Sequence, residues 1–266
     1  MPDLDHLSVT GFTTDRSFQS THSFPKPSEL QRDREQHGSA LLRQLAKLRL
    51  DAEALSLERA KRGLTTSTGM IIAIEFSAQA KFDVKALEWR KDEIEVLTVA
   101  QSGGGAQVVA LHVPEGKLSA LETRVRKYLS GPMTKYGKPP HTQLVNAIEK
   151  IRGAAFAELW TEDAAPPAPE KATWLQIWLR NGARTASATA KAFQAAAVQF
   201  GIQVETSYLS FPGRVVVAAW TTRKALEGAL RLLDLIAEIR YVQPHAEFFL
   251  SDLAPREQAP WVQELL

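Results

Sequence analysis

His37-Gly38-Ser39-Ala40 sits inside RDREQHGSALLRQL, residues 32–45, where ring and charged side chains run into leucines. Histidine, glycine and a hydroxyl residue in that order read at a glance like the H-G-T-x-x-A histidine loop of one class of Ser-His-Asp hydrolases, in which the imidazole takes the proton of a serine nucleophile. Such a triad also needs an aspartate loop of the D-[ST]-G kind and a serine loop that opens a buried helix. No D-[ST]-G occurs in the 266 residues, and Ser39 stands where the loop has threonine. The nearest string to a serine loop, TTSTGM (residues 65–70), leads into a β-branched run instead. His37 is therefore expected at the solvated start of a helix, outside any triad.

The remaining histidines, His6, His22, His112, His141 and His245, form no H-x-x-x-H or H-E-x-x-H pair. No metal or other cofactor is expected from that spacing. With no cysteine there is no disulfide framework, thiolate site or cysteine nucleophile. Gly103-Gly104-Gly105 joins two apolar runs, so it is expected to turn a hairpin and not to cradle a phosphate. Trp174 and Trp178 alternate with polar residues, and core packing of a half-buried strand is favoured over base stacking. Arg32, Arg34, Arg43, Lys47 and Arg49 are interspersed with acids, the pattern of a solvated face. A net charge of +2 argues for neither nucleic acid nor a membrane surface. No catalytic constellation emerges, so the chain is not expected to be an enzyme by itself.

The elements around these residues can be read from their periods. Residues 1–27 show no sustained period and are expected to form a mobile arm. Over residues 28–63 an amphipathic helix is expected, opened by the capping box Ser28-Glu29-Leu30-Gln31 and closed by Gly63. Leu41, Leu45, Leu48, Ala52 and Leu55 make one narrow apolar seam along it. MIIAIEF, IEVLTVAQ and AQVVALHV are strands, KLSALETRVRKYL is a helix and KIRGAAFAELW supplies a last strand, which gives a first unit over 69–161. The first crossover, around DVKALEW, is short for a helix. EDAAPPAPEK has the composition of a linker, placed at 162–172. The same order then returns over 173–266: TWLQIWLR, a helix ended by Gly201, a hairpin through Phe211-Pro212-Gly213, a helix capped by Thr221 or Thr222, and EIRYV. Ile148 and Ile151-Arg152 line up with Ile236 and Ile239-Arg240, a local trace of duplication. The expected fold is α+β: a long N-terminal helix followed by two ferredoxin-like βαββαβ units. No basic and apolar leader opens the chain, and no apolar run is long enough to span a bilayer, so a cytoplasmic location is expected.

Several strings together carry a resemblance: RDREQHGSALLRQL, GMIIAIEFSAQAKFDVKALEWRKDEIEVLTV, VPEGKLSALETRVRKYL, LVNAIEKIRGAAFAELWTED, WLQIWLR, FPGRVVVAAWTT and EFFLSDLAPREQAPWVQELL. In this order, from about residue 11 to the last, the chain resembles the N-terminal region of bacterial subtilisin-like (S8 family) serine proteases. Those proteases are typically encoded beside an AAA-type ATPase, and the pair is linked to plasmid maintenance and phage defence. The resemblance implies a non-catalytic regulatory region whose C-terminal helix leads toward an absent protease domain. It implies as partners a subtilisin-like catalytic domain or the ATPase. No catalytic residue carries over. The leucine seam and the start of its helix, Arg32, Asp33, Arg34, His37, Leu45 and Leu48, are the expected partner interface. A stand-alone ferredoxin-like module that binds a small ligand or RNA on its open sheet face is the alternative.

Overall fold

Asp33 opens the first helix. Its side chain accepts a hydrogen bond from Gln36 N at 2.7 Å, satisfying one orphan amide of α1 (Arg34–Arg62). Gly63, at φ 68°, closes the helix in the left-handed conformation that glycine adopts without strain. The expected box at Ser28 and the 1–27 arm lie outside the described residues; the computed structural model describes residues 30–242 apart from 66–67, 81–86, 88 and 102–105.

Two four-stranded antiparallel sheets follow. The first contains β1 (Gly69–Phe76), β2 (Glu95–Gln101), β3 (Gln107–Pro114) and β4 (Ile148–Gly153), in the order β2-β3-β1-β4. The second contains β5 (Thr173–Arg180), β6 (Gln203–Phe211), β7 (Arg214–Thr221) and β8 (Ile236–Tyr241), in the order β6-β7-β5-β8. The two orders are the same, so the fold is α+β with two ferredoxin-like units behind an N-terminal helix. The local repeat extends to register. Ile74 pairs with Ile151 and Ala73 with Arg152, while Ile177 pairs with Ile239 and Gln176 with Arg240. A register shift falls at Glu75/Phe76 in one sheet and at Trp178/Leu179 in the other, the equivalent place.

The first unit departs from a simple βαββαβ. Most of DVKALEW and the glycine turn at 102–105 fall outside the described residues. The helices that cover its sheet are α1 and α2 (Leu118–Ser130), packed against each other. Leu41, Leu45 and Leu48 of α1 join Ile72, Ile74, Val109, Leu111, Leu121 and Val125 in one core. The strand expected over KIRGAAFAELW ends at Gly153, and Phe156–Leu159 form instead the one-turn helix α4, after the short α3 (Thr142–Ala147). In the second unit α5 (Ala186–Ala197) and α6 (Arg223–Leu230) cover the sheet, capped by Thr185 and Thr222. α6 is shorter than its apolar pattern suggests, because β8 already begins at Ile236.

The two cores do not divide at the proline-rich stretch. Phe156 and Leu159, together with Leu64, Ile71 and Ala110 from the first unit, are buried in the core of the second. α1 runs across both: its Leu41–Leu48 end enters the first core, whereas Leu55 packs on the second. At about 1.5 Å per residue, its 29 residues make a strut that reaches from one unit to the other. Residues 162–172 are also tied down. Trp160 Nε1 donates to Ala164 O at 2.8 Å, Tyr241 Oη to Ala165 O at 3.0 Å, and Lys224 N to Pro169 O at 3.1 Å.

Candidate functional site

The residues singled out at the start of α1 are engaged within the chain. Arg34 donates to Tyr128 O at 2.5 Å, Arg32 to Asn146 O at 2.8 Å and to the Glu149 carboxylate, and Asp33 caps its own helix. His37 Nε2 lies 2.9 Å from Val145 O, so the imidazole ties α1 to α3. Leu45 and Leu48 are buried. Of the six residues expected at a partner interface, Leu45 and Leu48 thus lie in the first core, Arg32, Arg34 and His37 bond to α2, α3 and β4, and Asp33 stays exposed at the helix start. The glycine of the His-Gly pair has a packing reason. A Cβ on Gly38 would sit 2.6 Å from Leu129 Cγ, so α1 crosses α2 there only without a side chain.

A second polar group is buried between the units. Asp234, in the turn before β8, accepts hydrogen bonds from Gly69 N at 2.7 Å and His112 Nε2 at 2.9 Å. Arg59 donates from Nε to Leu232 O at 2.8 Å and from Nη1 to Gly69 O at 2.7 Å. Burial opposes the charge on Asp234, but the His112 hydrogen bond, the Gly69 amide and the Arg59 charge outweigh it, holding the carboxyl at about 2. A His-Asp pair of this geometry could orient a base. With both side chains only 3% exposed, it cannot meet a substrate from solvent, and its evident work is to join the units. Gly69 is dictated here as well, since a Cβ would fall 2.4 Å from His112 Nε2.

The open surface lies on the second sheet. Leu175, Ile177 and Leu179 of β5 enter the core under α5 and α6. Period two then turns Trp174, Gln176, Trp178 and Arg180 to the opposite face. The expectation of core packing is corrected for Trp174, which is 40% exposed, as is Trp220 at 39%, Phe211 at 45% and Leu209 at 63%. Cross-strand pairing orders them. Trp174 meets Trp220 with centroids 5.6 Å apart, and Trp178 stacks on Phe211 at 5.5 Å. The Arg240 guanidinium lies 4.9 Å over the Trp178 ring and pairs with Glu238. At the far end Arg180 and Arg214 both grip Glu95, from β2 of the first unit, Arg180 at 3.0 Å. Burial opposes the charge on Glu95, and the two arginines outweigh it, keeping the carboxyl below its usual range. The result is an aromatic platform rimmed by three arginines, two of them sharing Glu95 and the third on Glu238. Gln176 and Arg180, beside the tryptophans at period two, were the sequence signal that this face looks outward.

Among the described residues no group of three or more His, Asp or Glu is arranged to hold a metal ion. No helix among them is long and apolar enough to cross a membrane.

No curated protein matches the chain. Among solved structures it is similar to a microcompartments protein from Desulfitobacterium hafniense DCB, at 11% identity and a TM-score of 0.26, over 68% of this chain and 98% of that one. The Y4kK N-terminal domain family matches residues 35–155, the segment from α1 to just beyond β4 that forms the first unit.

Proposed function

We propose that the chain is a non-catalytic, partner-binding region of the kind that precedes a subtilisin-like catalytic domain encoded beside an AAA-type ATPase. It would act in the cytoplasm, which suits a chain without cysteine. The observation that carries this reading is the platform of Trp174, Trp178, Trp220 and Phe211. Exposed rings of Trp174, Trp220 and Phe211 around a half-buried Trp178 are the composition of a protein-binding hot spot, where Trp is enriched. The occupant proposed is the catalytic domain. By analogy of fold, ferredoxin-like prodomains of ordinary subtilisins lay their sheet on the protease. The RNA alternative asks for the same rings but also for cations free to neutralise phosphates. Here Arg180 and Arg214 share the Glu95 carboxylate and Arg240 is held by Glu238, so each arginine is engaged within the chain and a single positive charge is left in excess.

Calorimetric titration of the purified chain with a purified catalytic domain of that protease group should show saturable binding. Trp174→Glu with Trp220→Glu, both on exposed rings, should weaken it by roughly a thousandfold, since hot-spot aromatics contribute about 2 kcal/mol or more each, without changing the unfolding temperature. Binding untouched by the double variant would remove the platform from the function. Quenching of the tryptophans by single-stranded RNA, with no affinity for the protease domain, would decide for the nucleic-acid module.

The same reading predicts that the chain neither cleaves unfolded protein nor reacts with a fluorophosphonate probe. Labelling that disappears in Ser39→Ala would overturn it.

A further inference from the structure

A cleft of about 840 Å³ opens between the C-terminal half of α1, the start of β1 and the turn from β3 into α2. Its size is that of small-molecule sites, roughly 300–1,000 Å³, and much of its wall is apolar, as in such sites. Leu64, Met70, Val113 and Leu118 line it, and Leu57, 66% exposed, stands at its mouth.

Two features give the cleft a sign. Arg59 lines it and is only 7% exposed; its guanidinium makes no direct ion pair among the described residues, the negative charges nearest in effect being Asp234 and Glu115. Its Nε and Nη1 are used on the carbonyls of Leu232 and Gly69, and among the described residues Nη2 has no hydrogen-bond acceptor. A nearly buried charge without a direct counter-ion is costly, and desolvation accordingly lowers the guanidinium's proton affinity, with Asp234 and Glu115 restoring part of it. The second feature is the N-terminus of α2. Leu118 and Ser119 face the same cleft, and the helix begins with no capping side chain and no acid in its first turn. Ala120 N is bonded to Lys117 O, so the amides of Leu118 and Ser119 and the dipole end are what favour negative charge here.

Other charges on the walls limit what enters. Arg49 is held by Glu122 at 2.5 Å, and Glu53 and Glu115 stand exposed at the rim. One guanidinium amino group and one helix end suit a single negative charge better than the two of a phosphate ester. We propose that this cleft binds a small amphipathic carboxylate, its head at Arg59 and the start of α2 and its apolar body along Leu64, Val113 and Leu57. The site is separate from the aromatic platform and does not rest on the partner reading.

Isothermal titration of the full chain with decanoate, decylammonium and inorganic phosphate tests it. Decanoate should bind saturably at one site and raise the unfolding temperature, as any ligand of the folded state does. Decylammonium and phosphate should bind at least about tenfold more weakly, the first carrying the opposite charge and the second lacking the apolar body. Arg59→Gln is the direct variant, but it also removes the bonds to Leu232 and Gly69. Leu57→Glu, at an exposed position, leaves the fold intact and should weaken decanoate by roughly tenfold through like-charge repulsion. Equal binding of decanoate and decylammonium, unchanged binding in Leu57→Glu, or no binding of decanoate would each overturn the proposal.

Discussion

Leu45→Asp should unfold the first unit. Leu45 is fully buried between α1, α2 and the first sheet. Removing its side chain alone would cost about 2–5 kcal/mol through lost transfer and the cavity left behind. A carboxylate at the same point has no partner there and adds a desolvation cost of at least a few kcal/mol. The sum is a large share of the roughly 5–15 kcal/mol that holds a domain folded. The unfolding temperature, followed by circular dichroism, should fall by at least about 10 °C, if a transition survives at all. Leu50→Asp is the matched control. Leu50 is on the same helix but 66% exposed, and a surface change there should stay within about 0.5 kcal/mol. A Leu45→Asp chain that melts like the parent while losing a partner would restore the helix to the role of docking element. Loss of stability in the isolated monomer settles the seam as core.

How far the sequence predicts this molecule depends on the distance over which each signal acts. Short-range patterns fare well. TWLQIWLR is β5 residue for residue, Gly201 ends the α5 segment and Phe211-Pro212-Gly213 turns the β6–β7 hairpin, with Gly213 at φ 75°. The repeated Ile-Arg pair even fixes equivalent registers, because period two leaves each isoleucine a single choice of face. Elsewhere the same local patterns mislead. KIRGAAFAELW is apolar enough for one strand, yet Phe156 and Leu159 turn away into the second core. Composition marks EDAAPPAPEK as unattached, but its backbone carbonyls find Trp160, Tyr241 and Lys224. The α1 seam was legible, its occupant was not, since a row of leucines does not name what lies against it. The alternation of Trp174 and Trp178 likewise placed them on one face, and only Gln176 and Arg180 beside them signalled that this face is open. The polar node between the units had no local signal at all: His112 and Asp234 are 122 residues apart.

That node carries the second large effect. Asp234→Asn should destabilise the chain by about 3 kcal/mol near neutral pH, in the range for breaking a buried charged group away from its partners. The amide keeps the shape but gives up the charge that His112, the Gly69 amide and Arg59 all face. It would also present N–H groups to donors already aimed at an acceptor. The pH dependence follows from the direction of the shift. The folded-state carboxyl titrates at about 2, below its ordinary 3.8. The unfolded chain therefore binds the proton first, and folding is favoured by the ionised form. This contribution is complete above about pH 4 and declines as pH falls toward 2, amounting to about 2 kcal/mol at 1.36 kcal/mol per unit. Urea unfolding midpoints of the parent and of Asp234→Asn, taken from pH 7 down to pH 2.5, isolate it, because every other carboxyl is common to both chains. The gap between the two should narrow as the solution is acidified through this window. A gap that stays constant would mean that Asp234 does not hold its charge in the folded protein, and that the units are joined there by shape alone.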